Sequence, residues 1–120
     1  MNQVSKLLIA ITAAFSFSAS AGTLYCKGEI LNVAIYDNGA LGIKSSWRND
    51  YTHVCNLSEK RGNIQSQVCF AYMSLLLNAE QNNLTVRLSY ENTEYTCQTL
   101  PTYGNAPTPF YVEQIDAKSN

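Results

Sequence analysis

Three runs of alternating apolar and polar residues, one stretch of helical periodicity after them, and further alternation beyond it predict a mainly β domain with one helix. The implied order is βββαββ(β), that of an OB-like barrel of five or six strands. A third observation sets the context. Four cysteines follow an apolar leader, so the fold is expected to carry two disulfides.

The leader comes first in the chain. Lys6 supplies a positive charge, Leu7–Phe17 is apolar except for Thr12 and Ser16, and Ala19-Ser20-Ala21 offers small residues for cleavage. The apolar run is shorter than the ~20 residues a spanning helix needs. Residues 1–21 are therefore read as a secretory signal peptide, 22–115 as a single disulfide-bonded domain, and 116–120 as a loose polar tail. The expected location is secreted or periplasmic, with no membrane span. The chain has a net charge of −1, and losing Lys6 makes it slightly more negative. Such a chain lacks the basic face that nucleic acid requires.

Leu24–Tyr36 reads as the first strand, with Leu31, Val33 and Ile35 on one face and Cys26, Gly28, Ile30 and Ala34 on the other. Asp37-Asn38-Gly39 is a hairpin turn, because Asn and Gly tolerate positive φ. Ala40–Trp47 is the second strand, Arg48-Asn49-Asp50 a turn, and Tyr51–Leu57 the third strand. From Ile64 to Asn82 the period changes: Val68, Tyr72, Leu75, Leu76 and Ala79 mark one helical face, beside Cys69 and Met73. Asn63 is the expected N-cap, and Asn82-Asn83 the end. Thr85–Tyr90 alternates again. Glu91-Asn92-Thr93 turns into a further strand, Glu94–Leu100, with Cys97 in its middle. The three prolines, Pro101, Pro107 and Pro109, lie beyond that point and make 101–109 a connection to a short edge strand, Phe110–Ile115.

Cys26, Cys55, Cys69 and Cys97 include no Cys-x-x-Cys pair, the usual sign of a zinc site. Oxidation on export favours disulfides over a site of three cysteines and His53. Of the three pairings, Cys55–Cys69 and Cys26–Cys97 are expected. The short 58–63 connection folds the helix back over the third strand. The first strand of an OB-type barrel neighbours a late strand. Cys26–Cys55 with Cys69–Cys97 is the runner-up.

No catalytic constellation is legible, and the chain is read as a binding protein rather than an enzyme, with no cofactor and no metal. His53 is the one imidazole and has no orienting group in sequence. Asp37 and Asp50 fall in turns, Glu91 and Glu94 beside another, and Gly39, Gly42 and Gly62 form no phosphate loop. Trp47, Arg48, Asn49, Asp50 and Tyr51 are the candidate ligand-binding residues, since aromatic faces with short polar groups suit a sugar or a protein surface. The competing reading carries more weight: both rings end strands in the core, and Arg48 pairs with Asp50. Tyr103-Gly104-Asn105 is a second candidate, against a tyrosine that simply pins a long loop. On the helix, Gln65, Gln67, Ala71, Ser74, Asn78 and Gln81 form an uncharged outer face, compatible with homo-oligomer contacts.

The segment from Ser66-x-x-Cys69 through Leu76, Ala79 and Val86 to Tyr90, a helix running into an alternating strand, resembles the OB-fold B subunits of bacterial toxins, of the subtilase cytotoxin type. The resemblance implies ring pentamers that bind cell-surface glycans. None of that family's sugar-binding residues is carried over. The Cys26-Lys27-Gly28 start and the Leu100-Pro101-Thr102-Tyr103 ending are also similar to small exported proteins of Gram-negative bacteria, which brings no function. Two functions follow: a glycan- or protein-binding module, which the resemblance would place in a ring, or a periplasmic structural or inhibitory protein with one protein partner.

Overall fold

The computed structural model describes residues 22–91 and 93–115. The expected signal peptide and tail, and Asn92 of the expected turn, lie outside the described residues. The elements are β1 (Leu24–Ile35), β2 (Ala40–Ser45), β3 (Tyr51–Asn56), α1 (Ser66–Asn82), β4 (Thr85–Tyr90) and β5 (Tyr111–Ile115). The strands form one antiparallel sheet in the order β3-β2-β1-β4-β5.

The long β1 holds the sheet together by serving two partners. Its first half, Leu24–Glu29, pairs with β4, and its second half, Ile30–Ile35, pairs with β2. The register shifts between Ile30 and Asn32. One extra residue at that point exchanges the two faces of the strand. The single alternation expected along β1 is therefore corrected. Cys26 and Ile30 are buried, Val33 then joins their side against the core, and Leu31 is left 41% exposed.

The strand order is the OB order, and all neighbours along it are hydrogen-bonded. A ladder between β3 and β5, which would close the barrel, is not formed among the described residues. Instead, the free edge of β3 meets the β4–β5 connection in a single parallel bridge, Thr52 to Tyr103. Helix α1 packs against β1, β3, β4 and β5, and so reaches both edge strands of the open sheet. It buries Cys69, Tyr72, Leu76 and Ala79. Around them stand Ile30, Leu41, Ile43, Val54, Val86, Leu88, Tyr90 and Leu100.

The helix ends as expected, with Asn83 in the left-handed region (φ 53°) and its N–H on the Ala79 carbonyl. Its start differs. Gln65 is the N-cap, and it makes no side-chain cap bond. Asn63 is instead part of a tight turn closed by reciprocal Arg61–Ile64 backbone bonds of 3.0 and 2.9 Å. That turn uses up the chain before helical geometry begins. Val68, expected on the inner face, is 41% exposed.

Both disulfides are those expected: Cys26–Cys97 and Cys55–Cys69, each with Cα atoms 5.6 Å apart. Cys97 is not within a strand, however. Residues 97–99 form a turn, and Thr99 satisfies the backbone locally: its hydroxyl accepts from the Thr96 N–H at 2.9 Å, and its own N–H bonds the Thr96 carbonyl at 3.1 Å. A segment whose polar groups are satisfied that way has none left for a ladder. The sheet therefore has five strands. No helix among the described residues is long and apolar enough to cross a membrane.

Candidate functional site

The turn between β2 and β3 divides its five candidate residues. Trp47 lies half-buried over Gly28 of β1, packed against the core. A Cβ on Gly28 would sit 3.0 Å from the indole ring, so glycine permits the approach. The indole N–H is buried without a hydrogen-bond partner among the described residues. Arg48 Nε donates to the Leu100 carbonyl at 2.7 Å. The expected Arg48–Asp50 pair is not formed: the Asp50 carboxylate accepts from the Tyr51 N–H at 2.7 Å. Asn49 carries the turn with φ 55°. Only Tyr51 sends its ring into an aromatic cluster on the outer side of β3.

That cluster joins three parts of the chain. The Tyr51 ring stacks with Tyr103 at 6.4 Å between centroids and 24° between planes. His53, two residues on and so on the same face, meets Tyr103 edge-on at 6.3 Å and Tyr36 at 4.9 Å. Tyr103 does pin its loop: its N–H bonds Tyr51 O at 2.8 Å, and its carbonyl accepts from the His53 N–H at 3.1 Å. Burial, and then the nearby Arg61 guanidinium, lower the His53 pKa from 6.5. Arg61 itself donates to the Gly104 and Ala106 carbonyls at 3.0 and 2.8 Å.

A second surface, on β1, β4 and β5, is not legible in sequence. Cross-strand register aligns Tyr25, Ser89 and Tyr111 in one row, and Lys27, Arg87 and Glu113 in a parallel row. Directly opposed residues share a face. Two tyrosines, 60% and 46% exposed, therefore flank a serine that is 1% exposed. The Ser89 hydroxyl is buried without a hydrogen-bond partner among the described residues, as is Arg87 Nε. The Arg87 guanidinium lies 5.6 Å from the centre of the Tyr25 ring, and its other end pairs with Glu113. Aromatic walls and a polar floor with unspent bonding capacity suit a ligand with both apolar faces and hydroxyl groups. The only hint in sequence is the polar Thr85, Arg87, Ser89 alternation in β4. Its neighbours come from residues far away in the chain.

Among the described residues, no group of three His, Cys, Asp or Glu side chains is arranged to hold a metal ion. Two open clefts of about 260 and 270 Å³ share Glu91 and Pro107 at the β4–β5 connection. Neither is lined by the residues of the two surfaces above. Comparison with protein-family models, with curated proteins and with solved structures finds no match.

Proposed function

We propose that this chain is an exported glycan-binding module whose sugar lies across the β1–β4–β5 face, between Tyr25 and Tyr111. The observation that carries the reading is the Tyr25–Ser89–Tyr111 row, with an unsatisfied hydroxyl between two exposed rings. The C–H face of a sugar stacks on tyrosine; Ser89 Oγ and Arg87 Nε are closed to solvent in the free protein, so the flanking side chains move apart for the sugar's hydroxyls to reach them. Burial of such groups without partners is costly, so a ligand that satisfies them gains affinity and orientation together. Two disulfides in a domain of this size accord with a secreted or periplasmic setting. A glycan array probed with the oxidised protein tests the reading. Binding that disappears in both Tyr25→Ala and Tyr111→Ala, with the fold intact, supports it. A silent array, or binding that survives both changes, refutes it.

A ring assembly of B-subunit type is a second proposal, favoured by α1. Its outer side exposes Val68 (41%) and Phe70 (51%), and Glu80 is the one charged residue in the helix. Interface cores are depleted of charge in this way. A second copy of the chain is the partner proposed, and solution mass decides it.

A further inference from the structure

We infer that residues 101–106 form an acid-released strap over the outer edge of β3, latched while the His53 ring is neutral. This surface is separate from the proposed sugar face. The strap stands where a closing β5 ladder would run, but it holds by few bonds. The Tyr103 N–H and carbonyl each bond one β3 backbone group, and the Arg61 guanidinium grips the carbonyls of Gly104 and Ala106. Tyr103 is a non-glycine residue at φ 52°, in the left-handed region. Such backbone is strained and persists only where its surroundings hold it.

His53 lies at the centre of this hold. Its ring is wedged between Tyr36 from the β1–β2 turn and Tyr103 from the strap. A Cβ at Gly104 would lie 3.7 Å from Nδ1, so Gly104 of the strap is the residue that faces that nitrogen. Nε2 is buried without a hydrogen-bond partner among the described residues. A neutral imidazole can leave one ring nitrogen bare. A protonated imidazole has two N–H donors and a charge, and both nitrogens then need acceptors or water.

The charged and titratable groups around the ring do not supply relief. Arg61, from the β3–α1 connection, is positive and opposes a second charge. Tyr36, Tyr51 and Tyr103 present aromatic rings to the cluster. Asp50, beside Tyr51 on the turn into β3, is engaged by the Tyr51 N–H. On β2, Gly42 is opposite His53, and Lys44 is opposite Tyr51. Asp37, Glu59 and Lys60 are exposed on the adjoining turns. Protonation is relieved by moving the strap, which brings water to the ring and frees the Tyr51 carbonyl and the His53 N–H on the β3 edge.

The closed strap favours neutral imidazole, so its hold is full above the ordinary value of 6.5 and weakens as pH falls below it. Amide hydrogen exchange by NMR, expressed as protection factors, reads this directly. The His53 and Tyr103 amides should lose protection several-fold between pH 7 and pH 5, while the Ile43 amide in β2 keeps its own. In His53→Phe the strap should stay protected across that range. Titration of the His53 ring carbons in the unmodified protein is the second measurement, and its midpoint should fall below the ordinary value and accompany the loss of protection. Strap protection that does not change in the unmodified protein, an equal loss in His53→Phe, or a ring that titrates without any change in the strap overturns the inference.

Discussion

Arg48 Nε donates to the main-chain carbonyl of Leu100 at 2.7 Å, across 52 positions of sequence. This bond ties the β2–β3 turn to the connection that carries Cys97 and the Tyr103 strap. Leu100 is fully buried, so its carbonyl depends on that guanidinium. Arg48→Ala should therefore lower stability by about 1–3 kcal/mol, the cost of a buried acceptor left bare. In a domain of this size each kcal/mol is worth about 4–8 °C in Tm. Thermal unfolding measures it, and glycan affinity should not change.

Ser89→Ala separates folding from recognition. In the free protein the Ser89 hydroxyl is buried without a partner among the described residues, so its removal should leave Tm unchanged or raise it, by an amount corresponding to about 1 kcal/mol. Binding to the array's best glycan should weaken. A fall in Tm with unchanged affinity would assign the hydroxyl to the fold alone.

The disulfides should differ in their worth. Cys55–Cys69 closes a separation of 14 residues and Cys26–Cys97 one of 71. Loop entropy assigns about 3 kcal/mol to the first and more than about 4 to the second. Paired Cys→Ala variants followed in urea should rank that way. Non-reducing peptide mapping should recover both cross-links and no Cys26–Cys55 peptide.

Phe70→Lys tests association. If α1 meets a second copy, light scattering of the unmodified protein shows more than a monomer, and the variant, with an unpaired charge in the interface, dissociates. Asn78 is a poor choice for the same test, because its amide already bonds Gln114 of β5 at 2.8 Å.

The leader should be removed after Ala21. N-terminal sequencing of exported protein should begin at Gly22, and a start at Met1 in the membrane fraction would contradict it.

Local chemistry made much of the fold legible. The Asp37-Asn38-Gly39 turn, the alternation of Thr85–Tyr90 and the αL ending at Asn83 depend on φ preferences and side-chain period, which a short window of sequence carries. Both disulfides are the expected pairs; the order of elements accounts for Cys55–Cys69, where the helix follows its strand, whereas Cys97 reaches Cys26 from a turn and not from the neighbouring strand that the expectation supposes. Glu94–Leu100 reads as a strand by composition, but Thr96 and Thr99 bond each other's backbone, a competition that alternation does not reveal.

The sites were another matter. Sequence grouped Trp47, Arg48, Asn49, Asp50 and Tyr51 because they are adjacent, and the fold sent Trp47 to the core and Tyr51 to the surface. Neighbouring side chains in a strand or turn point to different faces, so adjacency along the chain does not make a surface. The tyrosine–serine–tyrosine row needs three strands aligned to a single register, and the cluster at His53 needs the β4–β5 connection to return to β3. Residue types, their period and their turns are local properties of the chain. Which of them face one another depends on register and loop closure, and these are settled by the packing of the whole core.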